Sequence, residues 1–162
     1  LDGELLYQII SQRPDYSFVF TGPEDDIFRR DRIHSLKNAY FTGQKKVDEL
    51  PAYIAAYDVC INPQMVNKIT NGNYPLKIDE YLAMGKPTVA TSTHTMRNIF
   101  TGHTHLAINP EEWLAAIDRA VTEADDKELA KQRIAFAETH SWGHSVKKIY
   151  EIIDSFLKKK TT

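Results

Sequence analysis

The sequence has little cysteine, no long apolar run and no excess of charge of one sign, and each absence excludes a class of protein. Its one cysteine, Cys60, cannot form an internal disulfide, so we expect a reducing compartment, the cytoplasm. No apolar stretch approaches the roughly 20 residues that cross a bilayer. The 20 Lys and Arg residues are balanced by 22 Asp and Glu residues, which argues against a basic surface for nucleic acid.

What is present is the composition of one folded domain, and its order predicts the architecture. The 162 residues include 42% hydrophobic and 26% charged side chains, which suits a single domain over residues 1–162. Short apolar strands are predicted at 16–21, 38–42, 58–62, 87–91 and 105–108. Helices are predicted at 4–12, 25–35, 47–57, 76–84, 95–101, 110–122, 126–139 and 143–158. This alternation predicts an α/β fold, an open parallel sheet with helices on both faces.

The beginning of the pattern differs from that of a complete doubly wound domain. Such domains usually open on a strand, whereas this chain opens on a helix and without a methionine. We therefore expect that one strand is missing upstream and that the chain is part of something longer. At the other end, Trp113 and Trp142 are predicted to pack among the terminal helices, with Phe136 and Ile149.

The candidate ligand site lies where the third strand leads into helix 76–84. Ligands of open α/β sheets bind beyond the carboxyl ends of the strands. The unpaired first amides of this helix suit a phosphate, and Gly72 in the preceding loop allows a close backbone approach. Lys77 lies in the first turn, and Glu80 lies on the same face of the helix. A carboxylate at that position can accept hydrogen bonds from the hydroxyls of a ribose. From spacing alone, a surface Lys–Glu pair is the favoured alternative.

Residues 74–91, YPLKIDEYLAMGKPTVAT, resemble the signature of GT-B glycosyltransferases of the group 1 type, family four and relatives. Further similarity to this family follows in order along the chain, at residues 14–22, 38–43, 48–59 and 140–142. The resemblance implies the C-terminal, donor-binding Rossmann-like domain of a two-domain transferase, with C-terminal helices at about 126–158.

The resemblance also implies which residues bind the nucleotide of the donor. Glu80 matches the carboxylate that binds the ribose hydroxyls, and Lys77 matches a lysine near the diphosphate. Three further groups are expected to bind the donor. The segment that approaches the phosphates and the sugar consists of Gly72, Asn73, Tyr74, Pro75 and Leu76. The strand-end residue is Gly22, and the loop that flanks the base contains Gln44, Lys45 and Lys46.

Two departures from the family pattern limit what the resemblance implies about catalysis. The family has two glutamates separated by seven residues, and Gly72 stands where the first would be, which puts retention of configuration in doubt. The family's Arg and Lys after the first strand have no match in this sequence. We therefore assign no catalytic residue and expect this piece to be inactive without the N-terminal domain.

The resemblance implies partners as well. The expected donor is a nucleotide-diphosphate sugar, with no metal or other cofactor required, and the expected acceptor is a saccharide or lipid-linked saccharide of bacterial polysaccharide biosynthesis. The N-terminal domain of the same chain is a further expected partner, and nucleic acid is not. The lysines at 147–148 and 158–160 leave open a peripheral contact with the inner face of the membrane, although a solvated helix end is favoured.

Two other functions remain open from the residues. A GT-B nucleotide-sugar epimerase would share the contact between Glu80 and ribose but needs acid and base residues that we do not find. A non-catalytic nucleotide-binding module is supported by the missing first glutamate. His103 and His105 are spaced like a metal pair, but no nearby cysteine or carboxylate completes a site, so a structural role is favoured.

Overall fold

The computed structural model describes residues 1–160, in which five strands alternate with helices as the sequence predicts. The strands are β1 (Phe18–Thr21), β2 (Ala39–Gly43), β3 (Cys60–Asn62), β4 (Thr88–Thr91) and β5 (His105–Ala107). The helices are α1 (Gly3–Ser11), α2 (Leu50–Ala56), α3 (Leu76–Ala83), α4 (His94–Ile99), α5 (Pro110–Thr122), α6 (Lys127–Glu138) and α7 (Trp142–Lys160).

The prediction of one helix at 25–35 is wrong. Two short 3-10 helices, Phe28–Arg30 and Arg32–Ser35, stand in its place. The Asp25 carboxylate accepts from the Ile27 and Phe28 amides, and the Asp31 carboxylate accepts from the Ile33 amide. These local bonds offer the backbone an alternative to a continuous helix.

All strand pairs are parallel, but the strands form two sheets rather than the single sheet expected. One sheet pairs β1 with β2, and the other has the order β3-β4-β5. Within residues 1–160, β1 and β3 do not pair with each other. A side-chain contact spans the division, because the Tyr57 hydroxyl, shortly before β3, lies 2.6 Å from the Thr21 hydroxyl on β1.

Helices cover both faces of the three-stranded sheet, which confirms the predicted fold class. Successive residues of β4 point to opposite faces. Val89 joins the buried cluster formed with α1 and α5, in which Trp113 is fully buried. Ala90 joins a second buried cluster formed with α3, α4 and α6. The burial of all four residues of β4 is what helices on both faces require.

The Gly85-Lys86-Pro87 segment between α3 and β4 has a structural role. Gly85 has φ +72°, the left-handed conformation that ends many helices, and its α-carbon lies against Ala130 of α6. The Lys86 ammonium donates to the carbonyls of Ala55 and Tyr57, at 2.7 and 2.6 Å. A cation at these carbonyls stabilises the carboxyl end of α2.

The last helix does not pack as predicted. The side chains of Trp142 and Ile149 on α7 are 84% and 56% exposed, so their expected packing among the terminal helices is wrong. An amphipathic sequence specifies an apolar face but not what covers it. The side chains of residues 158–160, part of the expected basic contact, lie outside the described residues. In the described part of the chain, no helix is both long and apolar enough to cross a membrane.

Candidate functional site

The start of α3 lies beyond the carboxyl end of β3, where the sequence predicts a ligand site. Pro75 precedes the helix, and no side chain caps it. By contrast, α1, α4, α5 and α6 each begin with a side chain that accepts a hydrogen bond from a first-turn amide. The Ile78 amide donates to the Pro75 carbonyl at 2.9 Å, whereas the amides of Leu76 and Lys77 retain the capacity to bind an anion.

Lys77 and Glu80 are both exposed on α3. In the part of the chain that the structure describes, no ion pair or hydrogen bond joins them, and their exposure agrees both with a ligand site and with an ordinary helix surface. Leu76, at the first position of the helix, is 65% exposed. The ammonium and the carboxylate are thus both accessible to a ligand approaching the helix start.

The loop between β3 and α3 is held by hydrogen bonds at several points. At its beginning, the Gln64 amide donates to the Thr91 hydroxyl of β4 at 2.8 Å. In its middle, the Asn67 carboxamide accepts from the amides of Ile69 and Thr70, both at 2.9 Å. Asn71 accepts from the His94 amide at 2.8 Å, which ties the loop to the start of α4.

Beyond Asn71, the loop is open to solvent. Gly72 and Asn73 are exposed, and no atom lies within 4 Å of the position that a Cβ on Gly72 would occupy. The expected site residues 72–77 therefore form one continuous, accessible segment that leads into the uncapped helix start.

Sequence reasoning missed a group of side chains beside this segment. The Tyr74 hydroxyl donates to one carboxylate oxygen of Asp79 at 2.6 Å. His140 Nδ1 lies 3.2 Å from the other oxygen. Burial and the bond to Asp79 raise the pKa of Tyr74, so its hydroxyl remains a donor. The sequence held part of the information needed to find this group, because Asp79 precedes Glu80 and His140 belongs to the 140–142 segment that resembles the family.

The other predicted site residues lie at the carboxyl ends of β1 and β2. The Gly22 amide donates to the Gly43 carbonyl at 3.1 Å. The Lys45 ammonium lies 5.2 Å from the centre of the Tyr53 ring, and the Lys46 amide donates to the Glu49 carboxylate at 2.8 Å. Gln44 is exposed. Among the described residues, no hydrogen bond or ion pair joins this group to residues 72–80.

The histidine pair that the sequence spaces like a metal site has other partners. His105 Nε2 lies 3.1 Å from the Glu123 carboxylate. His103 stacks on Phe136, with ring centres 3.7 Å apart. The two imidazoles are therefore held by different neighbours.

Comparisons with known proteins agree with this architecture. The family model "Glycosyl transferases group 1" matches residues 4–123, about three quarters of the chain. A curated relative from Bacillus subtilis (strain 168), the "Putative teichuronic acid biosynthesis glycosyltransferase TuaH", is 28% identical over 148 residues. That match covers 88% of this chain and 37% of the relative, so the chain spans little more than a third of its length.

A solved structure supports the fold. The chain is similar to the crystal structure of AviGT4, a glycosyltransferase involved in avilamycin A biosynthesis, with a TM-score of 0.54 and 12% identity. This match covers 85% of this chain and 47% of AviGT4. Together with the family match over residues 4–123, it shows that the chain belongs to the group 1 glycosyltransferases and has the Rossmann-like α/β architecture of the GT-B fold.

Proposed function

We propose that this chain binds the nucleotide diphosphate of a sugar donor at the start of α3. Glu80 accepts hydrogen bonds from the ribose hydroxyls, while Lys77 and the first amides of α3 bind the diphosphate. Gly72, Asn73, Tyr74, Pro75 and Leu76 line the approach of the phosphates and the sugar. Gly22, Gln44, Lys45 and Lys46 lie beside the base.

The observation that carries the proposal is the uncapped helix start with an accessible cation and carboxylate beside it. An anion placed there gains from both the unpaired amides and the positive end of the helix dipole. The ammonium of Lys77 adds a mobile positive charge. A cation in the first turn is unfavourable to the helix alone, and a bound diphosphate removes that penalty.

For the complete protein, we propose glycosyl transfer from the nucleotide sugar to a saccharide or lipid-linked acceptor, with no metal or other cofactor. The acceptor oxygen bonds to the anomeric carbon of the sugar and its hydroxyl proton is released, while the bond from that carbon to the diphosphate oxygen breaks. The leaving diphosphate gains negative charge, which the amides and Lys77 stabilise. An N-terminal domain of the same protein supplies the acceptor site, and the protein works in the cytoplasm.

The donor-binding proposal is tested by titrating UDP, GDP and ADP into the purified protein by calorimetry. At least one nucleotide should bind. Glu80→Ala should then cost about 1–3 kcal/mol, because two hydrogen bonds to a charged acceptor are lost. The dissociation constant should rise roughly 5- to 150-fold.

The matched control is Glu128→Ala, which removes an exposed carboxylate from α6 that pairs with Lys131. This variant should bind the nucleotide as the parent protein does. If no nucleotide binds, or if Glu80→Ala and Glu128→Ala behave alike, the assignment of the site to Glu80 is wrong.

A further inference from the structure

Three side chains from separate segments meet beside the proposed donor site. Tyr74 ends the loop, Asp79 lies in the first turn of α3, and His140 follows α6. The Asp79 carboxylate contacts both partners, with one oxygen 2.6 Å from the Tyr74 hydroxyl and the other 3.2 Å from His140 Nδ1. We call these residues the Tyr74–Asp79–His140 group.

The contact between Asp79 and His140 has no substitute nearby. The Asp79 Oδ1 and His140 Nδ1 atoms are both buried, and their contact is close enough for an ion pair without the alignment of a hydrogen bond. Neither atom has a hydrogen-bond partner elsewhere in the described part of the chain. Loss of either side chain therefore removes the close polar contact of the remaining buried atom.

Aromatic rings fix the position of His140. Its ring lies edge-on to Phe136, with centres 4.6 Å apart, and 5.8 Å from the ring of Phe100. Tyr74 also approaches Phe100, at 5.6 Å between ring centres. Because Phe100 belongs to the buried cluster beneath α3 and α6, the group is anchored to the rigid part of the domain.

The group acts on a segment that is otherwise open. Asn71 holds one end of residues 72–75 against α4, and Tyr74 holds the other end against α3. Between these two points, Gly72 and Asn73 are exposed. Release of Tyr74 would leave this segment held by Asn71 and by the Asn73 amide, which donates to the Thr70 carbonyl of the same loop at 3.4 Å.

We propose that Asp79 is a positioning residue for donor binding. It holds Tyr74, and through it the backbone of residues 72–75, against the start of α3, and His140 holds Asp79. This inference rests on the proposed function, because it assumes that the nucleotide diphosphate binds at that helix start. A preformed loop lowers the ordering cost of binding.

The first measurement needs no ligand. Hydrogen–deuterium exchange of peptides covering residues 71–78 is compared in the parent protein, Tyr74→Phe, Asp79→Asn and the matched control Tyr40→Phe, an exposed tyrosine on β2. Exchange in this segment should accelerate about tenfold in the first two variants and stay unchanged in the control. Unchanged exchange in Tyr74→Phe would overturn the proposal.

The second measurement is the dissociation constant of whichever of UDP, GDP and ADP binds the parent protein. Tyr74→Phe and Asp79→Asn should raise it about 3- to 10-fold. His140→Ala should raise it similarly, whereas His140→Asn, which keeps a donor near the position of Nδ1, should restore most of the loss. Faster exchange with unchanged affinity shows that the group holds the loop without positioning the donor, and the proposal falls.

The two proposals fail in different ways. If the parent protein binds no nucleotide, the proposed function fails, and the positioning role fails with it even where exchange shows that the loop is held. If the parent protein binds and loses affinity in Glu80→Ala, but not in Tyr74→Phe or Asp79→Asn, only the positioning role is wrong.

Discussion

The two ends of the α3–α6 helix pair are fixed by different chemistry. One end, which we call the opening end, is where α3 begins. There Asp79 contacts His140, and both side chains are about a fifth to a quarter exposed. The other end, which we call the glycine end, is where α3 finishes. There Gly85 packs against α6, and Arg133 is 6% exposed. Arg133 binds the Glu123 carboxylate and donates to the Gly85 carbonyl at 3.4 Å.

This difference suggests that one end of α3 stabilises the fold and the other end positions the ligand-binding segment. The glycine end holds a guanidinium that stays charged at every pH of interest, and it lies at the end of α3 opposite to Pro75. The opening end holds smaller, partly accessible groups next to the segment that receives the ligand. The four predictions below test whether the glycine end contributes stability and the opening end contributes mainly position.

The largest effect is expected from Arg133→Met. Removing the guanidinium leaves the Glu123 carboxylate without its main partner and the Gly85 carbonyl without a donor. We expect a loss of about 3 kcal/mol in the free energy of unfolding, measured by urea denaturation. Lys131→Met, which breaks an exposed ion pair on the same helix, should cost less than about 0.5 kcal/mol. Equal losses would remove the distinction between the two ends.

The next effect is expected from Gly85→Ala. The substitution places a Cβ 3.1 Å from the Cβ of Ala130, at a residue with φ +72°. Strain and crowding together should lower the free energy of unfolding by about 1–2 kcal/mol. Gly72→Ala, at a residue with open space around it, should change stability by less than about 0.5 kcal/mol either way. A tolerant Gly85 would show that the helices separate easily at this end.

A smaller effect is expected from the opening end, in a double-mutant cycle of Asp79→Asn and His140→Phe. The phenylalanine keeps the aromatic packing of His140 and removes its polar nitrogens. Because both groups are partly exposed, the coupling free energy should be only about 0.5–1 kcal/mol. A coupling as large as the loss in Arg133→Met would make the two ends equivalent.

The smallest effect concerns pH. Burial, and repulsion by His140, lower the pKa of His103 from its usual 6.5. The unfolded chain therefore binds more protons than the folded chain between the two pKa values. The contribution of His103 to the free energy of unfolding is therefore fully present above pH 6.5 and is lost as the pH falls through the folded-state pKa of His103.

The pH prediction is checked by urea unfolding at several values between pH 7.5 and 5. His103→Phe, which retains stacking on Phe136, should show a shallower fall than the parent protein. His144→Phe, an exposed histidine on α7, is the control and should keep the parent slope. Parallel curves for all three proteins would contradict the assignment of the fall to His103.

Apart from the helix predicted at 25–35, the elements could be predicted from the sequence because local signals mark where they begin and end. Pro63 and Gly85 end a strand and a helix where expected, and the predicted helix at 110–122 matches α5. Lys77 and Glu80 are exposed on α3, and their role in binding stays a prediction. These features depend on neighbours a few residues apart.

What the sequence could not predict depends on distant residues. Asp79 and His140 are 61 positions apart and meet only because α3 and α6 pack side by side. The division into two sheets depends on which strand edges pair, and this information is not local. Likewise, the apolar face of α7 reads as a packing surface, yet Trp142 is largely exposed.

The division of the strands has a practical consequence for handling the protein. Five strands in one sheet leave two edges, whereas two sheets leave four within residues 1–160, on β1, β2, β3 and β5. Each edge presents backbone donors and acceptors that another extended chain can pair with. Light scattering across a dilution series tests whether these edges pair between molecules, and it should be completed before any titration is interpreted.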